Sequence, residues 1–496
     1  MKKTCSILLM AFLSSSIFAQ GIAINHTGNR AYSMGGAFRA VADDYSAFFW
    51  NPAGLTQVEN ATFGFSVLQV MPSASIKANT NSHYYNPNKN EAVELDETQY
   101  TIPSIGYFHT SGNITFGLGV NVPFGLGSKW DILPSKPYAS KGSLDENEYD
   151  DDLQVINIQP TVAFKVSDKL SVGLGFSYLR TSIELKTPKF VDMNVLNPQL
   201  ANALLATSQA VTGNTTNGAL LYNKNLRTFW ASQYLEGNAD GFGISGGFKY
   251  DVSEKFSIGA NFKWYAEQTI DGSSSGYILA RDVSGDVAQS QVIQALLTNP
   301  GLDAATKQMI GGLYGMGADA KIPALKSGKL KDDAKAKLQL PMDFGFGMAY
   351  KFSETFMMSA DFNLTKWKDL QKIDIELQTK GNGSSELLLD WKDVVRYSLG
   401  MKWDANQSMT LMSGMYYSET PTNDDTFDPS IPDLNNRFET SFGMNYRLGN
   451  GINAELAYAH IFFEDREIRD QNADENISAT YSGSVNEFSV GLTYDF

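Results

Sequence analysis

Phe488-Ser489-Val490-Gly491-Leu492-Thr493-Tyr494-Asp495-Phe496 ends the chain. Strand side chains alternate between two faces. Phe488, Val490, Leu492, Tyr494 and Phe496 therefore share one face, and Ser489, Gly491, Thr493 and Asp495 the other. A terminal strand with one apolar face is an aggregation hazard in water. It is stable if that face meets lipid and the strand closes a barrel, because a sheet edge in hydrocarbon must be paired.

The same pattern recurs upstream. Leu170, Val172, Leu174, Phe176 and Tyr178 oppose Ser171, Gly173, Gly175 and Ser177; Phe256, Ile258, Ala260, Phe262 and Trp264 oppose Ser257, Gly259, Asn261 and Lys263. Soluble sandwiches alternate as well. The connections decide. Fourteen strands are expected near 61–71, 98–110, 113–122, 153–166, 170–185, 237–251, 255–270, 337–352, 355–368, 389–404, 407–418, 436–448, 451–463 and 484–496. Every second connection is a tight turn, such as Ser111-Gly112, Ser253-Glu254 or Gly449-Asn450, and those between include long loops at 123–152, 186–236 and 271–336. Short turns at one rim and long loops at the other mark an outer-membrane barrel. The fold class expected is all-β, a 14-stranded antiparallel transmembrane barrel.

Composition agrees. The 496 residues carry a net charge of −15 and a mean hydropathy of −0.23. That average excludes a bundle of membrane helices, whereas a barrel conceals its hydrophobicity in alternation. No basic stripe is present to meet phosphate, so nucleic acid is not an expected partner. Lys2 and Lys3, the apolar run Ile7 to Leu13 and a small residue at Ala19 read as a secretory signal over 1–19, cleaved before Gln20. The single cysteine, Cys5, lies inside it. The mature chain is thus expected to lack disulfides, thiolate metal sites and a thiol nucleophile; no cofactor and no catalytic residue are expected.

Residues 20–60 precede the first strand and are glycine-rich and small: Gly28-Asn29-Arg30-Ala31-Tyr32-Ser33-Met34-Gly35-Gly36-Ala37, Ala42-Asp43-Asp44, and Asn51-Pro52-Ala53-Gly54-Leu55. Small residues pack compactly and Asn-Pro fixes a turn. This segment is expected to be a hatch inside a barrel of residues 61–496. In the long loops, Leu196, Leu200, Leu204 and Leu205, then Val292, Leu296 and Leu297, then Met309, Ile310 and Leu313 recur at helical spacing. They would either pack on the rim or offer a landing site for apolar molecules. Glu146, Glu148 and Asp150 to Asp152 form an acidic run, which could bridge divalent cations to lipid headgroups; a solvated charge run is the plainer reading.

With these elements in place the chain resembles the FadL/TodX family of outer-membrane transporters of long-chain fatty acids and other hydrophobic compounds. The resemblance rests on Arg30-Ala31-Tyr32, Gly35-Gly36-Ala37, Ala42-Asp43-Asp44 and Asn51-Pro52-Ala53, with Pro123-Phe124-Gly125-Leu126, Trp367, Pro432-Asp433, Arg437, Tyr458 to Phe462 and Phe496. It implies residence in the outer membrane of a Gram-negative bacterium. It also implies passive uptake and a kink in the third strand that opens the wall sideways. Carried over, the kink falls at Pro123, Phe124 and Gly125, and the hatch element against it is Asn51, Pro52 and Ala53. Read without the resemblance, Pro123 simply ends a strand. The implied partners are a hydrophobic, fatty-acid-like ligand, the bilayer with its lipopolysaccharide, and the outer-membrane assembly machinery.

Lys263 projects inward by its alternation and could meet a carboxylate headgroup; a salt bridge to Asp43 or Asp343 is the plainer reading. Three rivals are kept. A general diffusion porin should lack the hatch. A haem receptor would lean on His26, the one hatch histidine. A lipid hydrolase would need a serine beside a histidine, and His460 falls on the lipid side with no such partner.

Overall fold

A computed structural model describes residues 21–78, 84–85, 92–95, 99–130, 133–134, 149–192, 198–213, 228–280, 283, 287–315, 321–323, 330–379, 384–429, 433–469 and 478–496. The signal segment, Gln20, Glu146, Glu148 and Leu196 lie outside these residues.

Fourteen antiparallel staves form one closed sheet. They are β1 (Ala61–Ala78), β2 (Tyr100–Ser111), β3 (Ile114–Trp130), β4 (Tyr149–Lys165), β5 (Leu170–Asp192) and β6 (Thr228–Asp251). β7 (Phe256–Tyr265, continued by Gln268–Leu279), β8 (Lys331–Leu338 and Asp343–Lys351), β9 (Phe356–Thr365 and Lys372–Leu377) and β10 (Ser384–Leu388 and Val394–Asp404) are each interrupted once. β11 (Met409–Ser418), β12 (Arg437–Gly449), β13 (Ile452–Phe463, with Arg466–Ile468) and β14 (Ala479–Asp495) complete the ring. β14 pairs with β1 from Thr62–Asp495 to Ala78–Ala479, so no edge is left open there. Phe496 extends the closure by donating its amide to the Ala61 carbonyl at 2.9 Å.

Six connections at one rim are only two to four residues long. In one of the two shortest, after β2, Gly112 takes φ +63°, a left-handed conformation that residues with a Cβ rarely adopt. Both ends of the barrel lie at this short-turn rim. The helices α3 (Pro198–Thr212), α4 (Val287–Thr298) and α5 (Ala304–Gly315) lie in the long loops of the opposite rim. Their apolar faces cover one another: Leu200, Leu204, Val292, Leu296, Ile310 and Leu313 form one buried cluster with Phe229. Packing on the rim is therefore what these leucines do.

In the part of the wall next to the short turns the outer face is apolar and bare. Phe488, Val490 and Leu492 are 50, 55 and 42% exposed, while Ser489 and Thr493 on the inner face are buried. An exposed apolar belt of this kind has only lipid as a compatible solvent. None of the described helices is long and apolar enough to cross a membrane, and the strands take that role.

Residues 21–60 fold inside the ring as α1 (Asn29–Ser33), α2 (Ala47–Trp50) and a 3-10 turn at Pro52–Gln57. They reach the inner face on all sides. Tyr45 Oη shares hydrogen bonds with Ser66 of β1 and Ser104 of β2, each at 3.0 Å. Gln159 of β4 donates to the Phe48 carbonyl at 2.7 Å. Arg39 donates to Asn261 of β7 at 2.7 Å and to Asp361 of β9 at 3.1 Å. Ser489 of β14 donates to Asn29 at 2.5 Å. Strand glycines make the fit possible: a Cβ at Gly345 would lie 1.6 Å from Arg39 Nε, and one at Gly173 2.4 Å from the Pro52 carbonyl carbon. Buried polar groups require partners, and the polar inner face of the strands supplies them.

Candidate functional site

β2 and β3 part company before their ends. Their pairing runs from Ser111–Ile114 to Ile105–Val120 and stops. β2 continues to Tyr100 along β1, and β3 continues to Trp130 along β4. At the same point the β3–β4 register slips between Asn121 and Phe124, a bulge that re-aims the strand. Burial records the turn. From Ile114 to Val120 the residues of β3 mostly alternate between open and covered positions, but every residue from Asn121 to Ser128 is buried. Pro123 thus does not end the strand. It sits where the strand leaves the plane of the wall, on an edge with no neighbouring stave, so its missing N–H costs no ladder bond.

That free edge is filled by the N-terminal segment. Ile24 donates its amide to the Pro123 carbonyl at 2.8 Å, and Gly125 donates to the Ile22 carbonyl at 2.9 Å. Ala23 and Phe124 form the antiparallel bridge between these bonds. Gly21 begins the segment and donates its amide to the buried Asp433 carboxylate, which also pairs with Arg437 at 2.7 Å. Burial pushes the Asp433 carboxyl up, against the pull of Arg437.

The wall changes character at the height of this break, and it does so on both faces. Along β5 the inner face runs Ser171, Gly173, Gly175, Ser177, then Leu179, Thr181, Ile183; the outer face runs Val172, Leu174, Phe176, Tyr178, then Arg180, Ser182, Glu184. Along β8 the inner face runs Gly347, Gly345, Asp343, then Leu338, Ala336, Ala334; the outer face runs Met348, Phe346, Phe344, then Lys337, Lys335. Near the short turns the wall is apolar outside and polar inside. Toward the long loops it is charged outside and apolar inside.

The apolar inner lining falls into two clusters that meet at the bulge. Ile24 and Val122 belong to one, with Leu68, Ile102, Trp130 and Ile461. Ile22, Phe124 and Leu126 belong to the other, with Leu179, Tyr265, Trp367 and Trp391. The two bridging isoleucines thus insert into the lining on either side of the break.

Comparison with known proteins agrees with this architecture. The sequence profile of the family described as "Outer membrane protein transport protein (OMPP1/FadL/TodX)" matches residues 10–496. The chain belongs to this family. It is 22% identical to the long-chain fatty acid transport protein of Escherichia coli O6:H1, across 100% of this chain and 98% of that one. It is 23% identical to the putative outer membrane protein NMB0088 of Neisseria meningitidis serogroup B, across 100% of this chain and 98% of the relative. Among solved structures, a Pseudomonas aeruginosa FadL homologue superposes with a TM-score of 0.68 at 18% identity, covering 96% of this chain and all of that one. The Pseudomonas putida toluene transporter TodX gives 0.64 at 16%, covering 95 and 99%. The protein is a β-barrel of the Gram-negative outer membrane, so the short-turn rim is periplasmic and the long-loop rim extracellular.

Within this FadL/TodX barrel the residues singled out by sequence fall in three places. Pro123 lies in the bulge, and Phe124 and Gly125 resume the pairing with β4 just beyond it. Asn51, Pro52 and Ala53 do not bond to it; the segment that does is Ile22 to Ile24. Asn51 donates its side-chain amide to the carbonyls of Phe248 in β6, at 2.9 Å, and of Arg39, at 2.7 Å. Its side-chain oxygen accepts from Ala53 at 3.2 Å. A Cβ at Gly247 or Gly259 would meet Asn51, as one at Gly173 would meet Pro52 and Ala53, so this element is clamped to β5, β6 and β7.

Lys263 points inward and its ammonium lies 3.2 Å from the ring centroid of Phe49. Among the described residues it makes no ion pair. Asp343 is its cross-strand neighbour, but the cation nearest that carboxylate is Arg39, at 3.7 Å, and Asp43 pairs with Arg30 at 2.8 Å. Burial would raise the Asp43 carboxyl, but Arg30 and Lys402 outweigh it and hold it down to about 2. His26 is buried against Tyr32, ring centroids 4.4 Å apart, and borders a cavity of about 30 Å³. That volume admits a water rather than a macrocycle. Burial pushes its imidazole down to about 3, leaving it neutral. His460 faces outward and shares a 2.9 Å contact with Asn486. Among the described residues no group of three His, Cys, Asp or Glu is arranged to hold a metal ion.

Ile22, Ile24 and Arg39 were not legible as site residues. Gly21-Ile22-Ala23-Ile24-Asn25 does alternate, but over too short a run to distinguish a strand from a linker.

Proposed function

We propose that this protein takes up hydrophobic molecules of the fatty-acid kind by passive diffusion, through the apolar extracellular half of the lumen and sideways between β2 and β3 into the outer leaflet. The observation that carries this reading is the loss of β2–β3 pairing beyond Ile105–Val120, at the height where the inner face turns apolar. The relatives named for transport of long-chain fatty acid and of toluene share one property, a hydrophobic cargo. Each methylene withheld from water is stabilised by roughly 0.8 kcal/mol. A sideways path keeps a long chain in apolar surroundings throughout, whereas release into the periplasm would forfeit that stabilisation.

In this reading residues 1–19 are removed as a signal peptide and residues 20–60 act as the hatch that closes the lumen to ions. Ile22 and Ile24 are the movable part. Asn51, Pro52 and Ala53 are the fixed part, which anchors the hatch to β5–β7 while the N-terminal bridge opens. Lys263 would meet an acidic headgroup once Phe49 moves aside. No phosphate-binding loop or other energy-coupling motif is recognised in the sequence, and the reading needs none.

The test is Gly125→Arg. The glycine is buried at the break, and a charged side chain there must reach for headgroups or lumen and obstruct the gap. Uptake of labelled fatty acid per folded molecule should fall while surface abundance stays normal. Unchanged uptake refutes the lateral route and favours passage through the hatch.

A further inference from the structure

The outward charges above the apolar band form a lattice. Arg180 of β5 pairs with Asp240 of β6 at 3.0 Å, and Glu236 of β6 with Lys331 of β8 at 2.6 Å. Asp271 of β7 pairs with Lys335 of β8 at 2.7 Å. Lys372 of β9 bridges Asp374 at 2.8 Å and Glu386 of β10 at 3.1 Å. These groups stand on the wall itself, not on loops, directly above the outward aromatic and aliphatic rows. Lys331, Lys335 and Lys372 retain 61, 50 and 45% of their side-chain exposure. Exposed ion pairs contribute little to stability, so folding alone does not account for six staves of them at one height.

The lattice is densest on this side. Along β1 and β14 the outward residues Met71, Ser73 and Ser75, and Asn486, Ser484 and Ser482, are uncharged, and charge returns only beyond them, at Lys77, Glu94 and the Glu467–Arg469 pair. This neutral sector adjoins β2 and the break in the wall.

We propose that the charged sector from β5 to β10 is a binding surface for the phosphorylated glycolipid headgroups of the outer leaflet. The chemistry is matched on both signs. Lysine and arginine meet phosphate directly. The interleaved carboxylates meet it through shared divalent cations, which favour oxygen ligands from both sides. Cross-strand spacing of about 4.8 Å and same-face spacing of about 6.6 Å set a grid of alternating charge. A rigid grid holds headgroups in place at low entropic cost. The neutral sector leaves the exit of the lumen free of anchored headgroups.

The experiment compares wild type with the variant Lys331→Gln, Lys335→Gln, Lys337→Gln, Lys372→Gln, each purified in detergent with Mg²⁺. The probes are lipid A and enzymatically dephosphorylated lipid A, and bound lipid is counted by native mass spectrometry. A basic residue at an anionic lipid surface contributes about five-fold to binding. Loss of four should lower lipid A retention at least ten-fold, and chelation of Mg²⁺ should lower it in wild type. A control with Ser73, Ser75, Ser482 and Ser484 changed to alanine should retain lipid as wild type does. Heat-modifiability confirms that every variant is folded. Equal retention by the lysine variant, or equal binding of the dephosphorylated lipid, overturns the proposal. So does a wild-type dimer in sedimentation that the lysine variant loses while its lipid is retained; the lattice would then serve a second copy of the chain.

Discussion

Replacing Ile22 by alanine isolates the contact that closes the break. Ile22 is 5% exposed and packs in the cluster that holds Phe124, Leu126, Trp367 and Trp391. Truncating a buried isoleucine costs about 2–5 kcal/mol. The strand bridge itself adds only two backbone hydrogen bonds, Ile24 to Pro123 and Gly125 to Ile22, worth about 1 kcal/mol each. Side-chain packing therefore dominates the local closing energy. At about 1.4 kcal/mol per factor of ten, the open population should rise at least about 25-fold. Hydrogen exchange resolves this at one atom. The Gly125 amide is protected by Ile22 rather than by a neighbouring stave, so its exchange should accelerate by that factor. The Phe65 amide, within the paired β1 ladder, should not change. Ile76→Ala, in the other cluster, serves as a control of similar size and should leave Gly125 protected. If Gly125 exchanges as slowly in Ile22→Ala as in wild type, the bridge is held by something other than this side chain, and the gate assigned to residues 21–24 is wrong.

Arg39→Met should loosen the hatch, because it leaves buried Asp361 without its cation, a change costing about 3–5 kcal/mol; planar-bilayer conductance should rise above a low wild-type level, and an unaltered current would count against the anchor. The pH dependence of the hatch should come in part from His26, whose folded-state value of about 3 lies below the ordinary 6.5. A depressed value means that the unfolded form takes up the proton first, so stability is complete above pH 6.5 and declines as pH falls toward 3. The loss between pH 6.5 and 5.5 is about 1 kcal/mol; exchange of amides in residues 21–60 should follow it in wild type and be flatter in His26→Gln, and parallel profiles would refute the assignment. Deleting Phe496, whose amide bonds to Ala61 and whose ring meets Tyr107 edge-on, should lower the yield of heat-modifiable barrel, and a normal yield would show that closure does not depend on it.

The barrel was legible because its membrane-facing part repeats one rule, apolar outward and small or polar inward. The staves are longer than that rule suggests. β3 continues to Trp130 rather than stopping at 122, β6 begins at Thr228 rather than 237, and β14 begins at Ala479 rather than 484. The cause is the exchange of polarity between faces. A reading that follows one apolar face loses the pattern where that face becomes charged, although the backbone stays extended. In Lys331-Asp332-Asp333-Ala334-Lys335-Ala336-Lys337-Leu338 the alternation persists with its sense reversed. The break in the wall was half legible. Pro123 and Gly125 announce irregular pairing, but no local signal shows that Ile22 and Ile24, a hundred residues earlier, supply the missing neighbour. The placement of Asn51 likewise depends on Gly173 lying opposite Gly247 with Gly259 diagonal to it, which only the register of β5, β6 and β7 brings about.

The charged outer grid also bears on how the wall reaches its place. A barrel inserted from the periplasm must carry its extracellular half through the hydrocarbon layer before that half emerges. Arg180, Lys331, Lys335, Lys337 and Lys372 all make that passage facing outward. An outward basic residue at the bilayer midplane costs about 2–4 kcal/mol. If the five crossed together, the sum would be on the order of 10–20 kcal/mol by the same scale, before any carboxylate is counted. Keeping Arg180–Asp240, Lys335–Asp271 and Lys372–Glu386 paired during transit lowers that sum only if the staves cross as hairpins already in register. Translocation thus favours sequential entry of preformed hairpins through a thinned or catalysed patch of bilayer over collapse of the whole sheet at once. Once across, the same charges act as a ratchet, since slipping back would require them to re-enter the oil.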